Sequence, residues 1–145
     1  MTDDERSRPL EVLLVEDDPG DVRLTREALN VRTHLHVAEN AEQAMAFLHR
    51  RGEHEDAPRP DLILLDLNLP GRDGRELLAQ IKNSEELRQV PVVVLTTSND
   101  EQDIQRAYDL NANSYVTKPL NWVKFVSIVR SIENFWQNAA RIPPE

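Results

Sequence analysis

Acidic, hydroxyl and ammonium side chains close successive apolar runs of this chain, in an order that suits phosphoryl chemistry. Glu16, Asp17 and Asp18 follow Leu13–Val15, and Asp66 follows Leu62–Leu65. Thr96 and Thr97 follow Val92–Leu95, and Lys118-Pro119 comes just after Tyr115–Val116. If the runs are parallel neighbouring strands, their carboxyl ends carry Glu16, Asp17, Asp66, Thr96 and Lys118 into one crevice. Carboxylates packed together repel, and a divalent cation among them favours their ionised forms. Magnesium fits this expectation, because it prefers oxygen ligands and combines few carboxylates with water and a phosphate oxygen. Asp17 and Asp66 are the expected direct ligands. Glu16 would act through a bound water, and the backbone carbonyl of Asn68 would add an oxygen. Asp66 would be the nucleophile and become an acyl phosphate. Lys118 would supply the cation and Thr96 the hydroxyl that stabilise charge during transfer.

Each residue alone has a plainer explanation. Acids at 16–18 suit a helix N-terminus, Thr96 suits a strand end, and Lys118 suits a surface. Asp66 is harder to dismiss, since a carboxylate ending the run LILL costs free energy unless it is paired or bound to metal. The coincidence of all of them at strand ends carries the argument. Lys118-Pro119 adds an expectation of a cis peptide in a tight turn.

The elements that must position these groups alternate along the chain. Strands are expected at Leu10–Val15, His34–Ala38, Leu62–Leu65, Val92–Leu95 and Ser114–Val116. Helices are expected at Gly20–Leu29, Ala41–Arg50, Gly74–Ile81, Glu101–Leu110 and Trp122–Trp136. Continuous Leu/Ile/Val runs suit strands covered on both faces, and the alternation suits βα units on a parallel sheet. Asp18-Pro19, Asn99-Asp100 and Asn121 read as helix starts. The result is an α/β domain of (βα)5 type.

Composition narrows the function classes. The 145 residues fit one domain, with a flexible N-terminus at 1–9, a folded unit at 10–137 and a tail at 138–145. A net charge of −9 argues against nucleic acid as a direct partner. With no cysteine, disulfides and thiolate metal sites are excluded, in keeping with a cytoplasmic location. No apolar run approaches the roughly 20 residues of a membrane span, and Met1–Arg8 lacks a signal-peptide core.

Two segments exceed what the alternation needs. Arg50–Pro60 is polar, with Gly52, Pro58 and Pro60, and reads as an extended surface loop. His49 and His54 flank it as solvated side chains rather than metal ligands. In the last helix, Trp122, Val126, Val129 and Trp136 form one apolar stripe, with Phe125, Ile128, Ile132 and Phe135 beside it. Together they span roughly 240°, against the ~100° a surface helix needs. The surplus predicts a protein interface, the alternative cover being the long loop or the tail Arg141–Glu145.

These residues closely resemble the receiver domain of two-component response regulators, over about Leu10 to Trp136. The matching pieces are Val15-Glu16-Asp17-Asp18, Asp66-Leu67-Asn68-Leu69-Pro70 with Asp73-Gly74, Leu95-Thr96, and Tyr115-Val116-Thr117-Lys118-Pro119. The resemblance implies a flavodoxin-like fold with sheet order 2-1-3-4-5. It implies magnesium-dependent phosphorylation of Asp66 by a sensor histidine kinase, with Thr96 and Tyr115 as switch residues. Such a phosphoacceptor catalyses its own phosphorylation and dephosphorylation and is not a conventional turnover enzyme. Glu16 stands where the family usually has Asp, Leu69 where Met is frequent, and Thr97 where a smaller residue is usual. Thr97 is expected to narrow access to the phosphoryl group.

With nine residues after Trp136, the chain looks like a stand-alone receiver, similar to those paired with bacterial phytochrome kinases. The resemblance further implies a homodimer through the fourth helix, fifth strand and fifth helix, with Trp122, Phe125, Ile128, Ile132 and Phe135 at the interface. Two other readings compete. An aspartate-nucleophile phosphatase would need a carboxylic acid at position 68, where Asn68 stands. An adaptor or phosphate sink would work by dimerisation alone.

Overall fold

The computed structural model describes residues 8–69 and 74–139. Five strands form one parallel sheet: β1 (Glu11–Val15), β2 (His34–Ala38), β3 (Leu62–Leu65), β4 (Val92–Thr96) and β5 (Ser114–Thr117). Their order is β2-β1-β3-β4-β5, the flavodoxin-like arrangement expected. The helices are α1 (Pro19–Ala28), α2 (Ala41–Leu48), α3 (Gly74–Asn83), α4 (Glu101–Asp109) and α5 (Trp122–Asn134). A π-turn over Phe135–Ala139 continues α5. Among the described residues, no helix is long and apolar enough to cross a membrane.

Period-two alternation explains the layering. Leu13, Val15, Ile63, Leu65, Val92 and Val94 point to one face and pack under Phe47 and Leu48 of α2 and Leu77, Leu78 and Ile81 of α3. Val12, Leu14, Leu62, Leu64 and Val93 point to the other face, where Val22, Ile132 and Trp136 join them. Ala28 of α1 meets Phe125 and Val129 of α5 beside Leu95. Both faces of β1, β3 and β4 are thus buried, which is why their sequences are unbroken apolar runs. Each fully buried Leu or Val contributes roughly 1.5–3 kcal/mol.

The helix starts follow their caps. The Asp18, Asn40, Asp100 and Asn121 side chains accept from the backbone N–H groups of Gly20, Gln43, Gln102 and Val123. Boundaries differ from the sequence reading by a few residues, and β4 and β5 each run one residue further because Thr96 pairs with Thr117. Arg50–Pro60 is less solvated than expected. It contains a 3₁₀ turn at Gly52–His54, His54 meets the edge of Phe47, and Ala57 packs on the core.

At the amino end of the sheet, Arg8 makes two 3.1 Å bonds to buried Asp61, which also accepts from the Glu11 N–H at 2.9 Å. The Glu11 carboxylate lies between His34 and His36, each 2.8 Å away.

Candidate functional site

The ladder of backbone hydrogen bonds extends one residue past three strands and so fixes the groups at the carboxyl end. Glu16 N–H donates to Ala38 at 2.9 Å, Asp66 N–H to Val15 at 3.1 Å, and Lys118 N–H to Thr96 at 2.7 Å. Glu16 and Asp66 therefore stand on adjacent strands, and Lys118 reaches back across β4. Lys118-Pro119 is not the cis peptide predicted, since no described peptide bond is cis. The Lys118 backbone is anchored by its N–H on the Thr96 carbonyl, and the long side chain reaches the crevice without a cis bond.

Asp66 is 6 % exposed, Thr96 0 % and Lys118 8 %. Thr96 donates its hydroxyl to Asp66 Oδ1 at 2.8 Å, and the Asn68 N–H donates to the same oxygen at 3.1 Å. Asp66 Oδ2 faces the Lys118 ammonium at 3.2 Å. Lys118 also donates to Glu16 Oε1 and, at 2.8 Å, to Asp21 Oδ2. Asp17 sits beside this cluster but is exposed. Ligand oxygens of Glu16, Asp17 and Asp66 lie within 4.8 Å of one another. This all-oxygen donor set, buried on one side and open at Asp17, fits a hard divalent cation.

Electrostatics match the crowding. Burial pushes the Glu16 carboxyl up to about 7, and the charge of Asp66 adds to the shift while Lys118 opposes it. Burial by itself would lower the Lys118 ammonium. The hydrogen bonds it donates to Asp21 and Glu16, with the charges of Asp66 and Glu16, outweigh that and hold it above the ordinary lysine range. One cation shared among several acids explains why Lys118 gains while Glu16 does not.

Gly74 brings α3 against the site. A Cβ there would stand 2.4 Å from the Asp66 carbonyl oxygen and 2.7 Å from Leu67 Cα, so only glycine fits. Its N–H donates to the Leu67 carbonyl at 3.0 Å. Pro70 and Asp73, which carry part of the motif, lie outside the described residues.

A second network runs behind Thr96. The Tyr115 hydroxyl donates to the Ser98 carbonyl at 2.8 Å, with the ring half-buried against the core. Burial pushes its phenol up. The Ser98 hydroxyl donates to Asp103 at 2.6 Å, and Arg75 grips Asp103 at 2.7 and 2.5 Å. The Arg75 hydrogen bonds, then that of Ser98, hold the Asp103 carboxyl down to about 2. Thr97 is exposed.

Sequence reasoning missed Asp21, Arg75 and Asp103. Asp21 and Asp103 lie in the first turns of α1 and α4, where acids are ordinary, so nothing in the spacing marks them. The division of α5 also needs correction. Phe125 is 3 % exposed and belongs to the core with Val129, while Ile128 and Ile132 are partly buried against the core. Phe125, Val129, Ile132 and Trp136 follow i, i+4, i+7, i+11 spacing and make one inward stripe. Of the five expected interface residues, Trp122 and Phe135 are the exposed ones, with Val123 beside Trp122. The tail Arg141–Glu145 lies outside the described residues. His49 approaches Glu86 at 3.8 Å, and neither it nor His54 joins the acidic cluster.

Comparison with known proteins agrees with this geometry. Residues 12–130 match the model of the response regulator receiver domain. Over 143 residues the chain is 47 % identical to the response regulator Rcp1 of Synechocystis sp., covering 97 % of each chain. The fold is similar to the phosphorylated cyanobacterial phytochrome response regulator RcpA, with a TM-score of 0.90 and 46 % identity over 94 % of this chain and 99 % of that one. It is also similar to the Mn(2+)-bound form of Rcp1, with a TM-score of 0.88 and 45 % identity over 94 % of this chain and all of that one (100 %). With its sheet order, its acidic cluster and these likenesses taken together, the chain belongs to the response regulator receiver domain family.

Proposed function

We propose that this protein accepts a phosphoryl group on Asp66 from the phosphohistidine of a sensor histidine kinase of phytochrome type. The observation that carries this reading is the setting of Asp66: a buried carboxylate held by Thr96 and Asn68 on one oxygen and by Lys118 on the other. An Asp66 oxygen attacks phosphorus, a P–O bond forms, the P–N bond to the donor imidazole breaks, and the imidazole leaves with a proton from solvent. Magnesium, held by Asp17, Asp66, the Asn68 carbonyl and Glu16 through water, would neutralise charge on the phosphoryl oxygens. Lys118 would give a second positive charge at Asp66 Oδ2, and the Thr96 hydroxyl, now on Asp66 Oδ1, would move to a phosphoryl oxygen. Tyr115, bonded to the loop after Thr96, reads that movement and carries it to the β5 surface.

The protein is a switch rather than a turnover enzyme. It works in the cytoplasm and signals by protein contact, including a homodimer through α4, β5 and α5 in which Trp122 and Phe135 take part. The likeness to Rcp1 and to the cyanobacterial phytochrome response regulator RcpA supports the choice of kinase. Radiolabelled acetyl phosphate with magnesium should label the wild type and leave Asp66→Asn unlabelled. Equal labelling of the two would remove the reading.

A further inference from the structure

Lys118 has three N–H bonds to give, and three carboxylates receive them: Glu16, Asp21 at 2.8 Å and Asp66 at 3.2 Å. The Asp66 bond is the longest. Asp21 is the outsider of the set, since its oxygens are not among the clustered ligand atoms of Glu16, Asp17 and Asp66. It comes from the first turn of α1, whose start is fixed by the Asp18 cap. Its backbone carbonyl is held by the buried Thr25 hydroxyl at 2.8 Å. The Asp21 carboxylate is 25 % exposed, so it faces Lys118 from the solvent side while Glu16 faces it from within.

We infer that Asp21 is a positioning residue for Lys118, which together with Glu16 fixes two N–H bonds of the ammonium so that the third is aimed at Asp66 and at a phosphoryl group attached to it. A free lysine terminus on a four-carbon stem samples many orientations, and transfer is fast only when the cation already stands where charge develops. Asp21 would hold that geometry before each transfer, at the rim of the site, without touching the transferred group. The inference rests on the proposed phosphoryl transfer to Asp66.

The test is the maximal rate of phosphorylation by acetyl phosphate, measured with its magnesium dependence in wild type, Asp21→Ala and Asp21→Asn. Asp21→Ala should slow the maximal rate about tenfold and leave the magnesium concentration for half-maximal rate unchanged. Asp21→Asn keeps an oxygen acceptor for the ammonium and should recover to within about threefold of wild type. The inference is overturned if Asp21→Ala runs at the wild-type rate, if Asp21→Asn is as slow as Asp21→Ala, or if the whole loss lies in the magnesium requirement. Failure of the underlying reading would look different: wild type itself would not be labelled, or Asp66→Asn would be labelled equally.

Discussion

Asp61 and Asp66 stand at opposite ends of β3, five residues apart, and are buried to the same degree, at 5 % and 6 % exposure. Their surroundings differ in charge balance. Asp61 meets one guanidinium, from Arg8, in two hydrogen bonds and takes a backbone N–H as well, so its charge is matched and its oxygens are satisfied. Asp66 shares a single ammonium with Glu16 and Asp21, and Asp17 adds a further carboxylate. The first arrangement is closed and ties the chain before β1 to the sheet. The second carries surplus negative charge that a proton on Glu16 relieves in part and a divalent cation would balance. Burial of an acid therefore does not mark a site; burial without charge balance does.

The comparison is broken most severely by exchanging the acids' roles. Asp66→Asn should abolish phosphorylation while leaving the fold intact or slightly more stable, because it relieves repulsion with Glu16. Asp61→Ala should do the reverse: phosphorylation persists, but unfolding free energy falls by about 2 kcal/mol, the cost of stranding Arg8 and the Glu11 N–H, reduced by the exposure of Arg8. Urea melts beside the labelling assay would check both.

A second contrast is pH. In the folded protein the Glu16 carboxyl keeps its proton up to about 7, against its ordinary 4.5. The folded state therefore binds more protons than the unfolded chain between those values. Stability falls as pH rises through that window in metal-free protein. Magnesium should offset the fall, raising stability by about 2.7 kcal/mol at a hundredfold excess over its dissociation constant. Melting curves from pH 5 to 8 with and without magnesium should diverge upward in pH, and Glu16→Gln should flatten the metal-free slope. The Asp61 end should add no magnesium response.

The smallest effect concerns the network behind Thr96. Asp103→Asn weakens the grip of Arg75 and of the Ser98 hydroxyl, at roughly 1 kcal/mol of stability for a partly exposed bidentate pair. Phosphorylation should continue, while the Ser98 carbonyl that accepts from Tyr115 is held less firmly. Tyrosine ring resonances with and without phosphorylation should then differ less than in wild type.

Much of this was legible in the sequence because strands covered on both faces leave unbroken apolar runs, and polar residues ending those runs stand out. Asp66 after LILL and Lys118 after Tyr115–Val116 are visible for that reason. The caps at Asp18, Asp100 and Asn121 are local signals and could be read directly. Asp21, Arg75 and Asp103 could not, since Lys118 lies 97 residues from Asp21, Arg75 and Asp103 lie 28 residues apart, and their own positions suit ordinary helix surfaces. The wide apolar arc of α5 predicts surplus surface but not which stripe turns inward. Contact with Ala28 and Leu95 settles that, and it places Phe125 in the core.

The most direct measurement is to locate the transferred group. Wild-type protein treated with acetyl phosphate and magnesium, then digested and mass-mapped, should carry one phosphoryl group on the peptide containing Asp66, and none when the metal is chelated. A phosphoryl group on another residue, or an equal yield without metal, would contradict the account.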